Sequence, residues 1–155
     1  MPRPNNFTVA SLPDFVGHDF GQSEPIVIDQ DRINKFAEAT EDFQWIHLDA
    51  ERCKAESPFG DTIAHGFLTL SLLSAAQNKL GLFPDDARQI VNYGVEGVRF
   101  LAPVPVGSKV SVRTKVLSVE PKGDSRFVVR TSNEVLVEGS DKPALVAESI
   151  AYVMG

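Results

Sequence analysis

Residues 64–80, AHGFLTLSLLSAAQNKL, constrain the fold more than any other stretch of this chain. Phe67, Leu68, Leu70, Leu72, Leu73, Ala75 and Ala76 fall on every side of a helical wheel, whereas a helix lying on a protein surface carries one apolar stripe. The pattern predicts a helix buried on every face, which some other element must enclose. Gly81 and then Pro84 end it. Its small polar members, Thr69, Ser71 and Ser74, return their hydroxyls to the helix backbone or serve a site. They also interrupt the apolar run Phe67–Ala76, which is too short to span a bilayer.

After residue 88 the periodicity changes. In 108–116, Val110, Val112, Thr114 and Val116 alternate with Lys109, Ser111, Arg113 and Lys115, a strand with one wet face. Strands are also predicted over 90–104, with bulges at Gly94 and Gly97, over 127–139 and over 144–154, with a hairpin turn at 121–126. Before the helix, EPIVI (24–28) reads as a short strand. Asp29 caps a helix carrying Ile33, Phe36, Ala37 and Thr40 on one face, and Asp49 caps a second over 49–55. Between them lies a polar-aromatic loop, 41–48. Residues 1–20, with three prolines, read as an irregular arm, leaving 21–155 as a single domain. One enclosed helix and about five mainly antiparallel strands give an α+β fold in which a sheet curls around the helix.

Lys plus Arg is 15 against 21 Asp plus Glu, a net charge of −6, so a general nucleic-acid partner is excluded by the lack of clustered cations. Cys53 is the only cysteine, which excludes an internal disulfide and a cysteine-based zinc site. A reactive thiol needs a base beside it and nothing in the sequence places one, so a structural role is expected. The N-terminal residues lack the apolar core of a signal peptide, so a cytoplasmic location without membrane insertion is the expectation.

Two places can carry chemistry. Asp42 and His47 are five residues apart in the loop, and a carboxylate and an imidazole sharing one water form a general acid–base pair. On spacing alone this signal is weak, because the same residues read as a turn cap and a satisfied half-buried histidine. Gly66 opens the long helix, where unpaired N–H groups point outwards and a missing side chain lets an oxygen approach. It reads either as an oxyanion donor or as a close packing point, and His65 beside it as a cap or packing group.

Taken together, these features resemble the MaoC-like dehydratases, also called (R)-specific enoyl-CoA hydratases, over roughly residues 22–152. The resemblance rests on Asp42, His47, Leu48 and Asp49 in the loop and on Phe59–Gly60 in the turn. It continues in Ile63–Ala64–His65–Gly66 at the helix start and in Phe100, Pro103, Val104 and Gly107 downstream. The resemblance implies a hot-dog fold, in which an antiparallel sheet wraps one long helix. It implies a lyase of fatty-acyl metabolism, an enoyl-CoA hydratase or 3-hydroxyacyl-CoA dehydratase acting on an acyl-CoA or acyl-carrier thioester. Asp42 and His47 are then the catalytic pair, the Gly66 N–H binds the thioester carbonyl, and Gln44 and Ser74 support the loop. No metal and no redox cofactor is implied, and coenzyme A enters only as part of the substrate. Arg52, Lys54, Arg113 and Lys115 are candidates for its phosphates.

The loop departs from the family pattern. Glu41 stands where many relatives have Gly, and Gln44–Trp45 where Asn–Pro is usual, which bears on substrate choice more than on reaction type. A hot-dog thioesterase is the alternative, but it usually needs a carboxylate on the central helix, and none follows Asp61 there. A non-catalytic acyl-thioester binder would have no use for the Asp42/His47 pair. At 155 residues the chain holds one hot-dog unit, and relatives bind ligand between two units, so a homodimer is expected.

Overall fold

Val110, Val112, Thr114 and Val116 are buried while Lys109, Arg113 and Lys115 are exposed, so the period-two pattern sets the faces of its strand except at Ser111, which is buried where its Oγ accepts from Gln22 Nε2. The computed structural model describes residues 3–155. In chain order the elements are β1 (Asp19–Gln22), β2 (Ile26–Ile28), α1 (Gln30–Thr40), α2 (Trp45–Leu48), α3 (Ala50–Glu56), α4 (Gly66–Lys79), β3 (Gln89–Phe100), β4 (Ser108–Pro121), β5 (Arg126–Val137) and β6 (Pro143–Met154). The strands form one six-stranded sheet in the order β1-β4-β5-β6-β3, with β2 also on β4 and every pairing antiparallel.

β1 and β2 occupy successive stretches of the same edge of β4: β1 faces Arg113–Lys115 and β2 faces Ser108–Val110. Ser23 carries the ladder across the gap, donating its N–H to the Val112 carbonyl at 2.9 Å and accepting the Val112 N–H on Oγ at 3.0 Å. The expected count of about five strands thus misses β1, whose sequence DFGQ lacks strand-forming β-branched residues. The β3 register shifts at Asn92/Gly94 and Glu96/Arg99, as Gly94 and Gly97 predicted, with Gly97 at φ 57°. Asp29 and Asp49 cap α1 and α3 by accepting the N–H groups of Arg32 and Arg52, a contribution of about 1 kcal/mol each.

The core has two apolar ends. One joins Leu68, Leu72, Leu73 and Ala76 of α4 to Val110, Val112, Val135 and Leu145. The other joins Phe7, Val9, Leu12, Phe20 and Leu82 to Val116, Val129 and Val153. A buried polar band lies between α4 and the sheet: Gln77 Nε2 donates to Asn133 Oδ1 at 3.0 Å and Ser149 Oγ at 2.8 Å, and Thr114 Oγ1 donates to Asn133 Oδ1 at 2.9 Å. Within the expected irregular arm, Val9–Phe15 forms a 3-10 helix whose Val9 and Leu12 are buried, and residue 21 falls inside β1. Residues 1 and 2 of that arm lie outside the described residues.

The expectation that α4 is buried on every face is corrected. Phe67 is 68% exposed, and Ser71, Ser74 and Ala75 share its solvent side. The sheet covers one side of the helix; the other opens onto a groove beside edge strand β3, lined by Ser71, Ser74, Tyr93 and Val95. Because apolar residues sit on both sides, the sequence pattern carried no sign of which would be left open. Among the described residues, no helix is long and apolar enough to cross a membrane.

Candidate active site

The predicted loop 41–48 is tied down more firmly than a loop. Its second half is the single turn α2, whose Ile46 carbonyl accepts the Ile63 N–H at 3.1 Å. Gln30 of α1 donates to the His47 carbonyl at 2.8 Å and accepts from Thr62 Oγ1 at 2.6 Å. Beneath it the buried Cys53 thiol points to the Ile46 carbonyl at 3.6 Å, and burial pushes that thiol up from its ordinary value, as a structural cysteine requires. Trp45, at the position where proline is usual, is held by the Arg52 guanidinium 4.2 Å above its ring, worth roughly 0.5–1 kcal/mol at an exposed site. Glu41 adopts φ 60°, ψ 22°, a left-handed conformation that explains a preference for Gly there.

His47 is 6% exposed. Its Nδ1 lies 2.7 Å from the Ile63 carbonyl, which can only accept, so Nδ1 carries the proton and Nε2 keeps its lone pair. Burial holds its pKa below the usual imidazole value; the neighbouring His65 acts in the same direction, against the Ile63 hydrogen bond and Asp42. The ring is therefore a neutral base near neutral pH. Because the unfolded chain binds a proton that the folded chain refuses, stability falls as pH drops below about 6.5 towards the lowered value. Thermal melts from pH 7.5 to 5 are expected to show a steeper decline in Tm for the native chain than for His47→Gln; parallel declines would remove His47 as the cause.

Asp42 is exposed, and among the described residues its Oδ1 receives only a long 3.4 Å contact from the Gln44 N–H. His65 was not singled out as a site group by the sequence. Its ring stacks on that of His47, centroids 3.8 Å apart and planes 24° apart, and its Nε2 lies 3.0 Å from the Asp42 carbonyl oxygen. The signal was its place just before the helix-opening glycine, but that place does not reveal what the ring meets. Asp42, His47 and His65 each bring a ligand-type atom within 4.8 Å of the others. Near-parallel stacked rings hold their lone pairs side by side rather than converging on one ion, so this arrangement suits proton handling better than chelation.

His47 and Gly66 both line a cavity of about 430 Å³, to which Thr69 adds a hydroxyl and which is otherwise apolar, walled by Phe67, Phe100, Val104 and Leu145. That volume is in the range of small-molecule sites. Gly66 is the first residue of α4, where N–H groups have no intrahelical acceptor. A Cβ there would lie 2.9 Å from Phe100 Cδ1 and Cε1, so the absent side chain is what lets that ring cover the helix start. His47 and Gly66 thus share this cavity, whereas Asp42 does not line it and joins the site only through its approach to His47 and His65. Gln44 contributes its backbone N–H, its side chain standing in solvent. Ser74 is not at this cavity: it lies on the solvent side of α4, about 12 Å along the axis from Gly66, in the β3 groove. Of the candidate phosphate contacts, Arg52, Lys54 and Arg113 make surface ion pairs with Glu56, Glu51 and Glu134.

Comparison with known proteins agrees with this picture. The 3-hydroxyacyl-thioester dehydratase Z of Mycobacterium tuberculosis is 48% identical over 143 residues, 92% of this chain and 93% of that protein. Nodulation protein N of Rhizobium leguminosarum is 43% identical over 151 residues, 96% of this chain and 92% of that protein. The structure of the R-hydratase PhaJ1 of Pseudomonas aeruginosa superposes with a TM-score of 0.75 at 26% identity, covering 94% of this chain and 84% of that one. The α+β sheet wrapped on α4 is accordingly the hot-dog fold that the sequence resemblance implied. Residues 12–138 match the MaoC like domain, and the chain belongs to that family.

Proposed function

We propose that the protein is a hydro-lyase that adds water reversibly across the C2–C3 double bond of a trans-2-enoyl thioester, giving the (R)-3-hydroxyacyl thioester. The observation that carries the reading is an imidazole with its tautomer set, Nε2 unprotonated, which lines a mainly apolar cavity with a helix-opening glycine and has the Asp42 carboxylate within 4.8 Å of its ring nitrogen. Asp42 and His47 hold one water. As its oxygen bonds to C3, an O–H bond breaks towards the pair, and the pair delivers a proton to C2 on the same face. Meanwhile the thioester oxygen carries the developing charge, and the Gly66 N–H at the positive end of α4 stabilises it. The thioester itself acidifies C2, so these steps call for no metal and no redox cofactor.

The test is incubation with trans-2-enoyl-CoAs from C4 to C16, followed by loss of the conjugated enoyl absorbance and chiral analysis of the product. Hydration to the (R) product is expected. Release of free thiol with the C2–C3 double bond retained in the acid product would replace this reading with a thioesterase.

The working form is proposed to be a homodimer. Edge strand β3 exposes Ile90, Val91, Tyr93 and Val95, beside exposed Phe67, Phe100 and Leu101. Pairing β3 with its counterpart in a second copy covers this apolar edge. Light scattering is expected to give about twice the 16.9 kDa chain mass, and Val91→Lys with Val95→Lys to give an inactive monomer. A fully active monomer would disprove it.

A further inference from the structure

We propose that His65 is a positioning residue for the Asp42–His47 pair, its Nε2–H holding the Asp42 carbonyl while its ring lies flat on that of His47. This rests on reading Asp42 and His47 as the groups that activate water. Three observations carry it. First, His65 is 2% exposed and occupies the N-cap of α4, yet its side chain makes no capping bond. It turns away from the helix and meets the loop, with 3.0 Å between Nε2 and the Asp42 carbonyl oxygen. A carbonyl only accepts, so in the neutral ring Nε2 carries the proton and Nδ1 is bare.

Second, that Nδ1 is buried without a hydrogen-bond partner among the described residues. A phenyl or aliphatic side chain would fill the space without burying a bare nitrogen, so packing alone does not explain an imidazole here. The Nε2 bond to the loop does. Third, the ring is clamped. His47 stacks on it at 3.8 Å, and Phe36 of α1 packs at 5.0 Å, tilted by 52°. One rigid ring thus touches the backbone that presents one working group and the imidazole that is the other. It supplies a firm link where the Asp42 side chain has only a long contact to the Gln44 N–H. Displacements of about 1 Å at such a pair change rates by about 100-fold, so a strut between the two groups has kinetic weight without touching substrate.

Two substitutions divide the ring from the donor. His65→Phe keeps a flat ring and removes the N–H; His65→Gln removes the ring but places an amide N–H near the position of Nε2. With trans-2-enoyl-CoA, His65→Phe is expected to lower kcat by about 100-fold with KM within about threefold, and His65→Gln to restore kcat to within about tenfold of the native chain. In an Asp42→Asn background, His65→Phe is expected to add less than about a threefold loss, because the group it positions no longer works. Imidazole nitrogen NMR of the unsubstituted protein is expected to show His65 with Nε2 protonated and Nδ1 bare. The inference is overturned by an unimpaired His65→Phe, by a loss as large in the Asp42→Asn background as without it, or by His65→Gln no better than His65→Phe. If His65→Phe does not fold, an Nδ1-protonated His65 in the NMR spectrum overturns the inference without any variant. Full activity of Asp42→Asn itself would instead defeat the reading of the pair, so the two failures are distinguishable.

Discussion

Replacing Asp42 by Asn is expected to lower turnover in enoyl-CoA hydration by about 10²–10⁴-fold while leaving the melting temperature almost unchanged. Both halves follow from where the residue sits. Its carboxylate is exposed, and its one hydrogen-bond contact among the described residues, 3.4 Å to the Gln44 N–H, can be made equally by an amide oxygen. The backbone carbonyl that His65 grips is unaltered by the change. On the proposed reading, what is lost is the negative charge of the pair that holds and activates water. His47→Gln is expected to cost a similar factor in rate and, unlike Asp42→Asn, some stability. Its Nδ1–H bond to the Ile63 carbonyl is buried, and stranding that acceptor costs about 1–3 kcal/mol. The double variant should be little slower than the worse single, because the two groups act on one water. Steady-state assay with crotonyl-CoA alongside thermal melts separates these effects. Near-native hydration by both single variants would end the assignment of Asp42 and His47 as the groups that activate water.

Gly66→Ala is the second large effect expected, a fall of about 10- to 100-fold in kcat. The added methyl would lie 2.9 Å from two atoms of the Phe100 ring and would also crowd the N–H assigned to the thioester oxygen. These two consequences can be separated. Phe100 is 49% exposed, so its ring can be removed with limited harm to the core. Combining Gly66→Ala with Phe100→Ala relieves the clash but leaves the methyl beside the N–H. Recovery of stability without recovery of kcat is the expected outcome. If kcat returns with stability, Gly66 serves packing and the oxyanion role is wrong.

The contrast between Asp42 and His65 shows how much of this site was readable. The five-residue spacing of Asp42 and His47 lies within one loop, so local sequence suffices to place both groups on the same turn. His65 is 23 positions beyond Asp42, and nothing local to either residue specifies that the ring before α4 will reach back to that carbonyl. Ser74 is the opposite case. The family resemblance put it beside the loop, whereas helical rise carries it about 12 Å away from Gly66 within the chain. Its groove adjoins β3, on the surface that a second copy is proposed to cover.

The sequence by itself determined the local elements. Asp29 and Asp49 start helices, because a side-chain oxygen answers a free N–H within its own turn. Gly94 and Gly97 bend β3, because they lack the Cβ that keeps a strand regular. The alternation of Val110, Val112, Thr114 and Val116 chose the inner face of β4, because successive side chains point to opposite sides. Only the tertiary structure decided which side of α4 stays open, since its apolar residues lie all round. It alone recruited the DFGQ segment as β1, which pairs through backbone groups that every residue carries. The stacking of His65 on His47 was also decided there, because two rings 18 positions apart meet only when the helix start packs against the loop.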